Sequence, residues 1–199
     1  MAKANATTCG LLLAGGEGRR FGGDKLMATL VDGTPVAVAT ARRLIAGVGR
    51  VLAVTRPGRG ALVAALQEAG CEVLETADCE RGMGASIAAG VRASPDAGGW
   101  LILPADMPTV SVSTITVVND CVVHGSLITR PVYDGRPGHP VGFHASLGTE
   151  LGRLDGDTGA RGIVARHRQA MTTVAVVDPG IHTDVDTPGD LARLTAGGE

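Results

Sequence analysis

The sequence predicts an α/β fold in which helices cover both faces of a mostly parallel sheet. Strand-like and helix-like segments alternate over residues 7–129, a pattern typical of parallel strands joined by crossover helices. Apolar residues make up 44% of the chain but aromatic residues only 2%, so the core must be aliphatic. The 30 glycines argue against a helix bundle and for many tight loops. A length of 199 residues suits one domain, which we expect to span residues 1–199.

Local signals place the predicted elements of the first two thirds. Thr34 and Pro35 suit the N-cap and the first position of a helix, and Gly70 suits the residue that follows a helix. Residues 111–123 are predicted to be helical although they contain several β-branched residues, which favour strands. The prediction is strands over 7–14, 50–55, 71–74, 99–103 and 125–129, and helices over 35–47, 58–69, 85–93 and 111–123.

The last third of the chain is less regular. Residues 131–143 contain three prolines and three glycines and are predicted to form a loop or hairpin that leads into a short strand. Thr158 is predicted to cap one helix, and Thr187 to begin the last helix with an acid, Asp190, three residues on. The predicted elements are a strand over 141–143, helices over 145–153, 159–168 and 188–195, and a strand over 174–177.

Charge and composition exclude several classes of protein. The net charge is −2 and the basic residues are spread through the chain, so we expect no nucleic-acid partner. No apolar run reaches the ~18 residues that a membrane span needs, so no membrane association is expected. The N-terminus is polar, which predicts a cytoplasmic location. The four cysteines have no CxxC spacing and are expected to be reduced thiols rather than zinc ligands.

The segment Leu11–Lys25 predicts a binding site for a phosphate-bearing ligand. An apolar run ends in a loop with five glycines, two arginines and a lysine, which lets backbone N–H groups approach an anion. The dinucleotide-binding fingerprint fails at Phe21, and the Walker A pattern fails because Leu26 follows the lysine. Two interpretations remain: glycines with Arg20 and Lys25 around a polyphosphate, or a flexible loop with solvated charges.

Acidic residues elsewhere suggest a cation site. Asp106 comes directly after a predicted buried strand, where one carboxylate can hold Mg²⁺ or can cap the next helix or turn. Asp184 and Asp186 are separated by one residue and, if extended, point to one face, which would suit a cation shared with Asp106. Each could equally be a turn residue or a helix cap. His139 is interpreted as a hydrogen-bond donor to an anion or ring substituent, or as a structural loop histidine.

Three loops are predicted to meet at one edge of the sheet. The opening loop, residues 77–84 and the Asp106 loop each follow a predicted strand. Ligands of parallel α/β sheets bind at the carboxyl ends of the strands. We therefore expect one site at this edge.

Six motifs in order resemble one family. The resemblance spans residues 8–195, and the motifs are LAGGEGRRFGGDK at 13–25, GMGAS at 82–86, PADMP at 104–108, GRPGHPVGF at 135–143, GDTGAR at 156–161 and DVDTPGDL at 184–191. Together they resemble the nucleotidyltransferases that attach a nucleotide to molybdopterin, and within these the cytidylyltransferase branch. That group is part of the sugar-nucleotide pyrophosphorylase-like fold.

The resemblance implies a three-layer αβα sandwich, Rossmann-like, and a reaction of two substrates. The terminal phosphate of molybdopterin would attack the α-phosphorus of a nucleoside triphosphate, and pyrophosphate would leave. By similarity, Arg20 and Lys25 would stabilise the triphosphate and the transition state. Asp106 would hold Mg²⁺, with Asp184 or Asp186 as a second ligand.

The resemblance also assigns the binding residues. His139 would face the pterin side, and a molybdoenzyme would receive the product. Residues of the glycine loop would contact the nucleotide, and residues at the start of the helix near 85 would shape the base and ribose pocket: Leu13, Ala14, Gly15, Gly16 and Gly18 in the first set, and Gly82, Met83 and Ser86 in the second.

The motifs leave two nucleotide substrates open, CTP and GTP. Gly15 makes the opening motif LAGG, as in the guanylyltransferase branch, whereas the cytidylyltransferases typically have LAAG. GMGAS and GHPV are similar to the cytidylyl branch. Three other hypotheses remain: a different phosphate acceptor, a molybdopterin-binding accessory protein, and an oxidoreductase, since some relatives carry that name. The missing dinucleotide fingerprint counts against the last.

Overall fold

The computed structural model describes residues 7–16, 18 and 21–196. Within these ranges the chain forms eight strands and seven α-helices, with short 3-10 turns between them. In chain order the elements are β1 (Cys9–Leu13), α1 (Val36–Val48), β2 (Val51–Thr55), α2 (Gly60–Glu68), β3 (Glu72–Glu75), α3 (Met83–Ala93), β4 (Gly99–Pro104), α4 (Val112–Val123), β5 (Ile128–Tyr133), β6 (Arg136–Pro137), β7 (Val141–His144), α5 (Gly148–Leu151), α6 (Arg161–Arg166), β8 (Met171–Ala175) and α7 (Pro188–Ala196).

The strands form one mixed, mostly parallel sheet in the order β3-β2-β1-β4-β7-β5-β6, and β8 pairs with β5. The pairs β3–β2, β2–β1, β1–β4 and β5–β8 are parallel. β7 runs antiparallel to both of its neighbours, β4 and β5. The carboxyl ends of β1 and β4 therefore lie side by side, with Leu13 paired to Pro104.

Helices cover both faces, which confirms the three-layer α/β sandwich. Leu12 and Ala14 at and after β1 belong to one core cluster, together with residues of α1, α2 and α4. Cys9 and Leu11 belong to a second cluster with residues of α3, α5 and α6. This alternation along one strand is the two-residue period of a sheet buried on both sides.

The position of β7 is not evident from the alternation of strands and helices. The first five predicted strands were expected to follow one another in parallel, but β7 inserts between β4 and β5. Gly142 in β7 permits this, because a Cβ there would lie 2.6 Å from the Val122 side chain of α4. The fifth strand itself covers 128–133 instead of 125–129.

Several predicted helix and strand ends were wrong. Pro35, not Thr34, is the residue before α1, and the Thr34 N–H is held by Asp32 instead. Thr158 does not cap α6, which begins at Arg161. The last strand ends at Ala175, before the exposed Val177.

The predicted start of the last helix was right. The Thr187 hydroxyl accepts from the Asp190 N–H at 3.2 Å, and Asp190 Oδ2 accepts from the Thr187 N–H at 2.7 Å. This reciprocal pair is a capping box with Asp in the acidic position.

No helix in the part of the chain that the structure describes is both long enough and apolar enough to span a membrane. All four cysteines are free, as predicted. Three of them are buried and Cys121 is partly buried.

Candidate active site

A cavity of about 550 Å³ opens at the carboxyl ends of β1 and β4. A second, smaller cavity of about 310 Å³ adjoins it on the side of the glycine loop. Such volumes are typical of small-molecule sites. The larger cavity is lined by Leu13, Gly15, Gly16, Gly18, Lys25, Leu26, Arg56, Cys79, Glu80, Gly82, Met83, Ser86, Pro104, Asp106, Asp157 and Asp186.

Two arginines that sequence reasoning missed hold the glycine loop. Arg56 donates from Nε and Nη2 to the Gly15 carbonyl at 3.0 and 2.6 Å, and Arg59 Nη1 reaches the Gly16 carbonyl at 3.5 Å. Both follow β2, whose carboxyl end lies beside that of β1. The sequence did contain a signal for these two arginines, because they follow a predicted strand at the edge of the sheet where a ligand was expected.

Gly15 packs directly against Cys79. A Cβ at position 15 would lie 2.8 Å from Cys79 Sγ and 2.9 Å from its Cβ. The buried thiol therefore occupies the space that a methyl group at position 15 would need. Ser86 lies on the same side, with Oγ 3.6 Å from that Cβ position. The absence of a side chain at position 15 is thus coupled to the identity of residue 79.

We expect Gly15→Ala to lower the free energy of unfolding by about 1–3 kcal/mol, because overpacking forces backbone or side-chain shifts. In a Cys79→Gly background the same change should cost clearly less, since both close atoms are gone. Urea unfolding of the four proteins of this double-mutant cycle measures the coupling. An equal cost in both backgrounds would contradict the steric explanation.

Lys25 reaches the cavity from a tight turn. The Met27 and Ala28 N–H groups both donate to the Asp24 carbonyl, and the buried Leu26 anchors the turn in the core. The Lys25 ammonium lies 2.5 Å from Asp106 Oδ2 and 3.0 Å from Asp186 Oδ1. Its pKa is raised: burial opposes the charge, but the bonds to the two carboxylates outweigh it.

Backbone contacts bring the two acids together. The Ala105 N–H donates to the Leu13 carbonyl at 3.0 Å, which fixes the turn after β4 to β1. The Val185 N–H donates to the Asp106 carbonyl at 2.9 Å, and Val185 is fully buried. Asp186 is consequently held beside Asp106, although 80 residues separate them in sequence.

Asp184 takes a different place from Asp186. Asp184 is an exposed residue that does not line the cavity, although its carboxyl group is partly covered. Partial burial raises the pKa of the Asp184 carboxyl, and the negative charges of Asp186 and Asp106 raise it further. Asp184 therefore lies within electrostatic range of the two acids.

The start of α3 forms another wall. Gly82 has φ +113°, and a Cβ there would lie 2.3 Å from Asp157 Oδ1, so only glycine fits. Met83 is 48% exposed at the cavity mouth, and Ser86 is buried with Oγ bonded to the Gly82 carbonyl. Cys79, Glu80 and Asp157 also line this wall. The first two belong to the loop at 77–84 that was predicted to reach the site, but none of the three was predicted as a site residue.

His139 lies away from the cavity lining. The backbone N–H of His139 donates to the Ile181 carbonyl at 3.1 Å. The imidazole Nδ1 is buried without a hydrogen-bond partner among the described residues. Burial lowers the pKa of His139 to about 4, and the positive charge of Arg130 contributes. The imidazole is therefore neutral at pH 7.

This buried histidine predicts a loss of stability in mild acid. Its folded-state pKa of about 4 is below the ordinary 6.5, so between these values the unfolded chain binds the extra proton. Between pH 7 and pH 5, the preferential protonation of His139 in the unfolded chain should lower the free energy of unfolding by about 2 kcal/mol. His139→Gln should lose less over this range, whereas His124→Gln, at an exposed position, should match the parent. Urea unfolding at both pH values measures the difference; equal losses in all three proteins would refute it.

Arg20 lies outside the described residues. Among the described lining residues, four carboxylates (Glu80, Asp106, Asp157 and Asp186) face two basic side chains, Lys25 and Arg56. A triphosphate would therefore need further positive charge in this cavity.

The acids fit a hard divalent cation. Asp106 Oδ1 is buried without a hydrogen-bond partner among the described residues, and its other oxygen already contacts one cation, the Lys25 ammonium. The described residues contain no group of three or more His, Cys, Asp or Glu arranged for a metal. Mg²⁺ suits such a site, since it usually takes one or two carboxylates, waters and substrate phosphates.

Comparisons with known proteins relate this chain to the NTP transferases. Residues 10–171 match the model of the MobA-like NTP transferase domain. Nicotine blue oxidoreductase of Paenarthrobacter nicotinovorans is 28% identical over an alignment of 195 residues that covers 93% of this chain and 95% of that protein.

Solved structures share the fold over nearly the whole chain. Rv0371c from Mycobacterium tuberculosis H37Rv has a TM-score of 0.81 at 28% identity, covering 98% of this chain and 100% of that one. A second Rv0371c structure, a complex with manganese, has a TM-score of 0.75 at 28% identity, covering 96% and 99%. Molybdopterin-guanine dinucleotide biosynthesis protein A from Archaeoglobus fulgidus has a TM-score of 0.68 at 21% identity, covering 95% and 97%.

The resemblance seen in the six motifs is confirmed by the family match over most of the chain. The three-layer fold is that of a nucleotidyltransferase, and the family match supports this enzyme class. This chain belongs to the family of the MobA-like NTP transferase domain.

Proposed function

We propose that this chain is a Mg²⁺-dependent cytidylyltransferase of molybdenum cofactor biosynthesis. It transfers CMP from CTP to the terminal phosphate of a molybdopterin-type acceptor and releases pyrophosphate. The observation that carries the proposal is the cluster of Lys25, Asp106 and Asp186 at the end of a glycine-lined cavity. The match to an NTP transferase family supports the reaction class.

The chemistry needs positioning and charge neutralisation more than a protein base. An oxygen of the acceptor phosphate forms a bond to the α-phosphorus while the bond to pyrophosphate breaks. The attacking phosphate is already ionised, so no proton has to be removed from it. Lys25, and Arg20 from the glycine loop, stabilise the charge that builds up on the triphosphate.

Asp106 and Asp186 would hold Mg²⁺, with Asp184 as a further candidate. The ion would neutralise the phosphate oxygens and polarise the reacting phosphorus when bound. The orphaned, buried Oδ1 of Asp106 supports this role. The manganese complex of the related Rv0371c supports a divalent cation in the family.

The nucleotide would lie between the glycine loop and the start of α3. The backbone from Leu13 to Gly18 would contact the phosphates, and the segment Gly82–Ser86 would contact the base and ribose. Arg56 acts on this site indirectly, because it holds the Gly15 carbonyl. The acceptor would approach from the side of His139, whose neutral imidazole can donate a hydrogen bond without adding charge.

The proposal includes the remaining expectations from the sequence. A molybdoenzyme would receive the product, the site would be formed by a single domain over residues 1–199, and the protein would act in the cytoplasm. GTP is the alternative nucleotide, because Gly15 makes the opening motif LAGG, as in the guanylyltransferase branch. Gly15 is also explained by the contact with Cys79, so it does not by itself favour either base.

The decisive experiment is pyrophosphate release with CTP, Mg²⁺ and molybdopterin. We expect turnover with CTP, and no pyrophosphate when the acceptor is omitted. Absence of turnover with every nucleoside triphosphate would reject the proposal. Tight binding of molybdopterin without pyrophosphate release would indicate a delivery protein instead.

A thermal-shift experiment measures whether the protein prefers CTP or GTP. A ligand that binds only the native state raises the melting temperature. At a ligand concentration of 100 Kd it adds about 2.7 kcal/mol to the free energy of unfolding. We expect CTP with Mg²⁺ to raise the melting temperature more than GTP at equal concentration. A larger shift with GTP would change the substrate and leave the reaction class intact.

A second candidate function is an oxidoreductase activity. It is favoured by the 28% identity to nicotine blue oxidoreductase over almost the whole chain. The sequence lacks the dinucleotide fingerprint, so any reduced nicotinamide would need another mode of binding. Oxidation of NADH or NADPH in the presence of nicotine blue, followed by absorbance, would support this candidate.

A further inference from the structure

The Lys25 ammonium lies between the two carboxylates that the proposed function assigns to the metal. It is 2.5 Å from Asp106 Oδ2 and 3.0 Å from Asp186 Oδ1. The side chains of Lys25 and Asp106 are only 11% and 16% exposed, so water screens this interaction weakly. The chain's own cation therefore already pairs with both acids and offsets part of their charge.

The Lys25 ammonium occupies the position from which a metal ion would bridge these two oxygens. Mg²⁺ binds oxygen ligands at about 2.1 Å, so an ion on the ammonium's side of both oxygens would nearly touch the Lys25 nitrogen. Two adjacent cations in a partly buried site also repel strongly. Binding of a metal between Asp106 Oδ2 and Asp186 Oδ1 therefore requires the lysine to move.

The structure offers the lysine a place to go. Lys25 lines the smaller cavity as well as the larger one, together with Gly16, Gly18 and Gly23. Its aliphatic chain runs along the glycine loop, where a Cβ at Gly18 would lie 3.3 Å from Lys25 Cγ. A small rotation of this flexible side chain would turn the ammonium toward the loop that would carry the triphosphate.

We propose that Lys25 is an exchangeable counter-ion: it occupies the cation position until a triphosphate attracts it to the glycine loop and metal takes its place. This inference rests on the proposed function. Metal alone then binds weakly, because it has to break two ion pairs. Nucleotide strengthens metal binding, and by linkage metal strengthens nucleotide binding by the same factor.

The test is a calorimetric titration with Mn²⁺ alone, without nucleotide, on three proteins. Lys25→Met removes the ammonium and keeps the length of the side chain. Arg50→Met is the matched control: it removes one positive charge, paired to Glu72 and Asp96, at the opposite end of the sheet. We expect Lys25→Met to bind Mn²⁺ at least about 10-fold more tightly than the parent, within the usual range of coupling between sites. Arg50→Met should bind like the parent.

A melting experiment gives a second readout that does not depend on turnover. Mn²⁺ alone should raise the melting temperature of Lys25→Met, and raise that of the parent clearly only when CTP is present. Equal Mn²⁺ affinity in the parent and Lys25→Met would overturn the inference. So would a crystal structure of the parent with Mn²⁺ bound while Lys25 keeps both ion pairs.

Failure of the inference differs from failure of the proposed function. If the parent binds Mn²⁺ with CTP but Lys25→Met gains no affinity for Mn²⁺ alone, the exchange is refuted and the metal site stands. If no protein binds Mn²⁺ under any condition, both are refuted.

Discussion

Asp106→Asn is expected to lower kcat by about 10³-fold with little change in KM for CTP. Loss of a single preorganised charge-stabilising group typically costs 10²- to 10³-fold, and Asp106 is proposed to act on both the metal and Lys25. Asparagine keeps the shape of the side chain, so the fold should be retained. Initial rates of pyrophosphate release, with circular dichroism as the check on folding, measure the effect.

Asp96→Asn is the matched control for this change. Asp96 is an exposed carboxylate that pairs with Arg50 at the opposite end of the sheet. Its variant should turn over like the parent. A parent-like rate for Asp106→Asn would remove Asp106 from the catalytic machinery.

Lys25→Ala is expected to reduce turnover nearly as far, by at least about 10²-fold. The ammonium is the described cation that reaches the acidic pair, and no other side chain of the turn at residues 24–28 can replace its charge. The variant should also melt at a lower temperature near pH 7, since Asp106 and Asp186 would face each other without it. Steady-state kinetics and thermal unfolding check the two parts separately.

Arg50→Ala controls for the loss of one positive charge and should leave turnover unchanged. The lowered melting temperature of Lys25→Ala should be partly restored by Mn²⁺, because an added cation neutralises the same carboxylates. A Lys25→Ala protein with parental kcat and KM would reject its proposed role on the triphosphate.

The edge of the sheet that carries the cavity was predictable from the sequence. A buried strand followed by the glycine loop, and another followed by Asp106, are local patterns that mark the carboxyl ends of parallel strands. The start of the last helix was predictable for the same reason, since Thr187 and Asp190 lie three residues apart and bond to each other. Each of these signals lies within a few neighbouring residues.

Other parts of the site depend on contacts between distant residues. Arg56 holds the Gly15 carbonyl from 41 positions away, and Lys25 meets Asp186 across 161 positions. The antiparallel β7 lies in the middle of a sheet whose alternation predicted only parallel neighbours. Neither spacing nor composition reports such pairings, since they depend on how the strands are ordered.

By itself the sequence determined the layered α/β class, the family and the glycine loop with its lysine, because these follow from local periodicity and from motifs in a given order. Only the tertiary structure decided that Gly15 is packed against Cys79, that Asp186 rather than Asp184 contacts Lys25, and that the Lys25 ammonium sits between two acids. The physical reason is that a backbone hydrogen bond from Val185 to Asp106 and the parallel pairing of β3, β2, β1 and β4 bring these groups within bonding distance. Their energies depend on that distance and on burial, which sequence spacing does not encode.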